Sequence, residues 1–159
     1  MIAGVRYTHT NLVARDWHAL AGFYESVFGC VPVPPERDYS GPDLEALTAV
    51  PHAALRGVHL RLPGAGQDGP TLEIFEYEPV APGDAPAVNR PGLAHIAFAV
   101  DSVEAAVREV VSAGGSAVGE VTVLTTATGA RVTACYVTDP EGNIIEVQSW
   151  ESTPRQERR

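Results

Sequence analysis

The chain has 159 residues, a mass of 16.8 kDa, 45% hydrophobic residues, 19% charged residues and a net charge of -9. Those totals fit a soluble globular domain with room for a real core. They argue against nucleic acid, whose phosphates require a basic footprint, and against a membrane, since no apolar run has spanning length and no signal-peptide pattern opens the chain. A cytoplasmic location is expected by default. Cys30 and Cys135 lack C-x-x-C spacing, and Cys135, in an apolar run, reads as a reduced and buried thiol.

Residues 5–13 alternate as a strand, with Tyr7, His9, Asn11 and Val13 on one face. Asp16 then has the character of an N-cap. Trp17, Leu20, Ala21, Tyr24, Val27 and Phe28 recur at helical spacing, and Gly29 supplies a C-terminal stop. Between Val31 and Pro51 the chain is rich in proline, consistent with a strand followed by a surface loop or lid, with a short helical turn at Asp43–Leu47. Residues 57–62 read as a strand, Pro63 to Pro70 as a glycine-rich loop, and residues 71–77 as a strand with Glu73, Phe75 and Tyr77 on one face. Pro79 to Pro91 is a linker by composition, which places a first module at about 5–78.

The second module, about 92–150, restarts at Leu93. Leu93, His95, Ala97 and Ala99 share one strand face; Ile96, Phe98 and Val100 take the other. Asp101 with Glu104 resembles a capping box before the helical stripe Val103, Ala106, Val107 and Val110, and Gly114-Gly115 ends that helix. Strands are expected at Ala117–Thr125 and Arg131–Thr138. Asp139 to Asn143 is a turn by residue type, and residues 144–149 form the last strand. The tail, 151–159, is polar and is expected to be disordered.

The two modules repeat one another. Histidine to capping aspartate spans 7 residues in the first (His9 to Asp16) and 6 in the second (His95 to Asp101). Histidine to helix-ending glycine spans 20 and 19. Each module reads β-α-β-β-β, so the chain is expected to be an α+β protein of two tandem modules. Each also offers one imidazole from its first strand and one carboxylate from its last: His9 and Glu73, then His95 and Glu146. Taken singly, a strand histidine is more often structural, and a glutamate between Leu72 and Ile74 or between Ile145 and Val147 could be a solvent-facing alternate. Their recurrence at matching points of a repeat favours a site for one divalent ion: zinc, nickel, cobalt, manganese or iron(II). His59 is the best remaining imidazole, but no histidine stands at a similar point of the second module. No G-x-G-x-x-G, P-loop, H-E-x-x-H or G-x-S-x-G motif is present.

From about Val5 to Trp150 the chain resembles the vicinal oxygen chelate superfamily of glyoxalase I, bleomycin-resistance proteins, extradiol dioxygenases and methylmalonyl-CoA epimerase. The residues that carry the likeness are His9-Thr10-Asn11-Leu12, Phe23-Tyr24, Phe28-Gly29, Gly92 to Phe98, and Asp139 to Glu146. The resemblance implies two βαβββ modules around a metal-binding cleft, usually in a homodimer. The set His9, Glu73, His95 and Glu146 is similar to that of glyoxalase I. It implies a metal-dependent lyase or isomerase that moves a proton through an enediolate, with Glu146 and Glu73 as base and acid. The substrate would be a small molecule, in glyoxalase I a thiol conjugate of glutathione. The lysine of the bacterial glyoxalase loop has no counterpart between Thr125 and Arg131, where Arg131 is the basic residue. Alternatives are a non-catalytic drug- or metabolite-binding protein of the same fold, an extradiol-type dioxygenase and an acyl-CoA epimerase.

Overall fold

The computed structural model describes residues 2–151. It divides into two compact units, Met1–Asp84 and Ala85–Arg159. The expected disordered tail lies outside the described residues except for Glu151, whose carboxylate meets Arg131 at 3.0 Å.

The first unit runs β1 (His9–Ala14), α1 (Trp17–Phe28), β2 (Val31–Ser40), α2 (Pro42–Thr48), β3 (Ala54–Arg61) and β4 (Thr71–Glu78). Its sheet has the order β1-β4-β3-β2, with β1 parallel to β4 and the other pairs antiparallel. The second unit runs β5 (Ile96–Ala99), α3 (Val103–Ser112), β6 (Ser116–Ala117), β7 (Thr122–Thr125), β8 (Arg131–Thr138) and β9 (Ile144–Trp150). Its order is β5-β9-β8-β6, with β7 also on β8, and β5 is parallel to β9. The same β-α-β-β-β path is thus drawn twice, each copy building its own mixed sheet.

Strand alternation divides the sides of each sheet. Leu72 and Ile74 of β4, with Val58 and Leu60 of β3, are buried on the side that packs against α1, while Glu73, Phe75 and Tyr77 take the other. Helix α1 contributes Trp17, Leu20, Ala21, Phe23 and Tyr24 to that core. Asp16 caps it by accepting from the Ala19 N–H at 3.0 Å, and Gly29 ends it in the left-handed region at φ 68°. In the second unit Val103 and Val110 of α3 pack over β8 and β9, where Val137, Ile145 and Val147 are fully buried.

Several sequence expectations shift by a few residues, each for a physical reason. Strand β1 begins at His9 rather than residue 5, because its partner β4 begins only at Thr71. Strand β5 begins at Ile96, paired with Ile145 and one residue after His95, rather than at Leu93. The cap of α3 is Ser102, whose hydroxyl accepts from the Ala105 N–H at 3.2 Å, and not Asp101. The strand expected over Ala117–Thr125 is two short strands, β6 and β7, on the same neighbour. The proline-rich stretch forms the ten-residue strand β2, which tolerates Pro32, Pro34 and Pro35 because it lies at the sheet edge and bulges between Val33 and Arg37.

Candidate metal centre

The register of the first sheet sets the site. Glu73 of β4 is opposite Asn11 on one side and His59 on the other, and residues directly opposite each other point to the same face. His9 stands two residues before Asn11 and therefore shares that face. The next pairs along β3 and β2 bring Gly57 opposite Arg37, then Leu55 opposite Tyr39. One face of one sheet therefore carries His9, Asn11, Glu73, His59, Arg37 and Tyr39.

Glu73 is 9% exposed, and three side chains converge on its carboxylate. His59 Nε2 lies 2.8 Å from its Oε1, Asn11 Nδ2 donates to Oε2 at 2.9 Å, and His9 Nε2 stands 3.6 Å from Oε2. Since an ionised carboxylate only accepts, Nε2 of His59 carries the proton. Its Nδ1 is then the acceptor for the Thr71 hydroxyl at 2.9 Å. Burial pulls the His59 imidazole below its ordinary value; the Glu73 charge opposes this, and Arg37 and His9 add to it. The ring is therefore a neutral imidazole at neutral pH, the form that binds metals. Thr71 can accept as well as donate, so it also supports the tautomer in which Nε2 is free for an ion.

His9, His59 and Glu73 each present a ligand atom, all within 4.8 Å of one another. That is close to the separation of two donors facing across an ion that they hold at about 2.1 Å. Two imidazoles and a carboxylate suit a divalent first-row ion. These three residues can form a metal site.

In the second unit His95 Nε2 lies 3.1 Å from Glu146 Oε2, and the His95 ring packs against Tyr136 with centroids 5.1 Å apart. Glu146 is opposite Ala97 and Tyr136 in the register, and His95 stands two residues before Ala97. His9 and His95 therefore occupy equivalent places, as do Glu73 and Glu146. His59 corresponds to Tyr136. Thus each of the two histidine–glutamate pairs expected from the repeat is brought together within its own unit, and the structure adds His59 to the first.

The repeat does not point to His59, because the second unit has no histidine at that place. The signal was nonetheless available. His59 and Glu73 stand seven residues on either side of Gly66, the middle of the Pro63–Pro70 loop, so a hairpin folded evenly about that loop pairs them. Arg131, the basic residue of the stretch that lacks the glyoxalase loop lysine, pairs with Glu151.

A family model described as the Glyoxalase/Bleomycin resistance protein/Dioxygenase superfamily matches residues 6–147. The chain belongs to this superfamily. A solved glyoxalase family protein from Bacillus cereus is similar to it at 18% identity and TM-score 0.77, covering 96% of this chain and 100% of its own. A glyoxylase/bleomycin resistance protein/dioxygenase domain from Frankia sp. EAN1pec matches at 18% identity and TM-score 0.58, with 95% and 100% covered. A family enzyme from Burkholderia phytofirmans PsJN matches at 16% identity and TM-score 0.54, with 89% and 96% covered. At these identities the likeness carries the superfamily fold and no substrate. No curated protein matches the chain. Among the described residues, no helix is long and apolar enough to cross a membrane.

Proposed function

We propose that the protein is a metal-dependent lyase or isomerase of glyoxalase type, acting on a small molecule such as a thiol conjugate. The observation that carries this reading is the equivalence of the two histidine–glutamate pairs, His9 with Glu73 and His95 with Glu146, at matching register positions of a duplicated sheet. In this reading the four groups are ligands of one divalent ion, with zinc, nickel and cobalt ahead of manganese and iron(II) for a set of imidazoles and carboxylates. Bound there, such an ion would supply Lewis-acid polarisation of substrate oxygens, which would ease removal of a proton from the adjacent carbon. Glu146 and Glu73 are the groups that take up and return that proton. Asn11 and His59 fix the orientation of Glu73 through its two oxygens, and Thr71 fixes the ring of His59. The test is a methylglyoxal–glutathione assay on metal-stripped protein reloaded in turn with each of the five ions. Activity that returns with an ion and disappears in Glu146→Gln supports the proposal; turnover indifferent to every ion overturns it.

A second reading rests on the cluster of His9, His59 and Glu73 within the first unit alone. Two histidines and one carboxylate are also the ligand set of non-haem iron(II) oxygenases. That reading expects oxygen uptake with a catechol and an ion site that does not need His95.

A further inference from the structure

Beside His59 and Glu73 the first unit contains a cavity of about 380 Å³, lined in part by Arg37, Leu44, Leu47, Leu55, Phe75 and Tyr77. That volume falls within the range of small-molecule sites. Its floor is Leu44 of α2 with Leu55 and Phe75, which belong to a small apolar core that also holds Ala53. At its rim Leu47 is 82% exposed, an apolar side chain at the lip of an apolar cavity. Gly57, opposite Arg37 in the register, puts no side chain between that arginine and Phe75.

Charge distinguishes this cavity from the rest of an acidic protein. Among the described residues no carboxylate lies within ion-pair distance of Arg37, whose Nη1 donates to the Pro35 carbonyl. Four of its five N–H donors remain. Among the described residues, Glu73 is the one carboxylate lining the cavity, and it is already met by His59 and Asn11. A neutral ligand filling the space would strip water from the guanidinium without replacing its hydrogen bonds, whereas a carboxylate restores them in the bidentate geometry arginine favours.

We infer that this cavity binds a small organic anion, its carboxylate paired with Arg37 and its apolar body packed on Leu44, Leu47, Leu55 and Phe75. This specificity is independent of the metal reading and holds in the metal-free protein. The probes are 3-phenylpropanoate and its neutral amide, 3-phenylpropanamide, titrated calorimetrically into chelator-treated protein. The carboxylate binds about tenfold more tightly than the amide or better, as a charge-assisted bond requires. Arg37→Gln brings that ratio close to one while the amide affinity and the circular dichroism stay as they were. Leu47→Asp, on an exposed helix position, weakens the carboxylate more than the amide. Equal binding of the two probes, no binding of either, or a preference that survives Arg37→Gln overturns the inference. Because no ion is present, failure here leaves the metal proposal standing, and failure of the ion titrations leaves this result standing.

Discussion

Replacing glycine by alanine at two places in the first unit should shift stability in opposite directions. At Gly57, in β3, an added Cβ would lie 2.0 Å from the Ile74 carbonyl oxygen and 2.5 Å from Phe75 Cδ1. The first of these neighbours is backbone of the paired strand and cannot swing aside, so β3 and β4 must separate or shear. Overpacking of this kind costs about 3 kcal/mol. At Gly22, exposed within helix α1, the same Cβ meets nothing within 4 Å. There alanine stabilises by about 0.5–1 kcal/mol, since glycine loses more backbone entropy on entering a helix. Urea denaturation of both variants, followed by circular dichroism, reads the same unit in each case. The Gly57 substitution also reaches the site, because Phe75 packs edge-on to His59 at 6.0 Å between centroids. A Gly57→Ala protein as stable as the wild type would refute the close approach of β3 and β4, and a destabilised Gly22→Ala would refute the open space at that helix position.

Other consequences can be checked separately. Asp139 is 1% exposed, and its carboxylate accepts from the N–H groups of Glu141 and Asn143 and from Asn143 Nδ2. Asp139→Ala leaves those donors without that acceptor and should cost about 3 kcal/mol in urea denaturation, with Asp139→Asn costing less because one oxygen remains. Burial, with the charge of Glu25, raises the Cys30 thiol from 9.0 to about 11. At pH 8 iodoacetamide should therefore modify native Cys30 at least about 100-fold more slowly than the unfolded chain. Because the folded value is the higher one, the unfolded state loses its proton first. The thiol's contribution to stability is whole below pH 9 and is lost as pH rises towards 11. Labelling of the native protein at the rate of a free thiol would contradict that burial.

What could be read from the sequence follows from how local each signal is. Asp16, the stripe from Trp17 to Phe28 and Gly29 define α1 by short-range rules alone, and the structure places its ends there. The duplication was legible because spacing between like residues survives without knowledge of the pairing. Strand starts were not legible: residues 5–8 alternate as well as residues 9–13 do, and only the partner's first residue decides where the ladder begins. Asp101 and Ser102 are both good caps, and the choice rests on which side chain reaches the Ala105 N–H. Alternation from Val33 puts Arg37 on the face of His59 but not opposite Gly57, because the bulge after Val33 shifts the pairing by two residues against β3. His59 itself needed the hairpin register rather than the repeat.

The proposed function counts His95 and Glu146, with His9 and Glu73, as ligands of a divalent ion, and His59 as a support of Glu73. Calorimetric titration of metal-stripped protein with zinc and nickel tests it most directly, comparing the wild type with His95→Ala and His59→Ala. A supporting neighbour of a ligand is worth about 10- to 100-fold in affinity and a ligand more than that. The account predicts that His95→Ala weakens binding by over about 100-fold and by more than His59→Ala does. Binding that survives His95→Ala and is lost in His59→Ala would contradict it and assign the ion to the first unit alone.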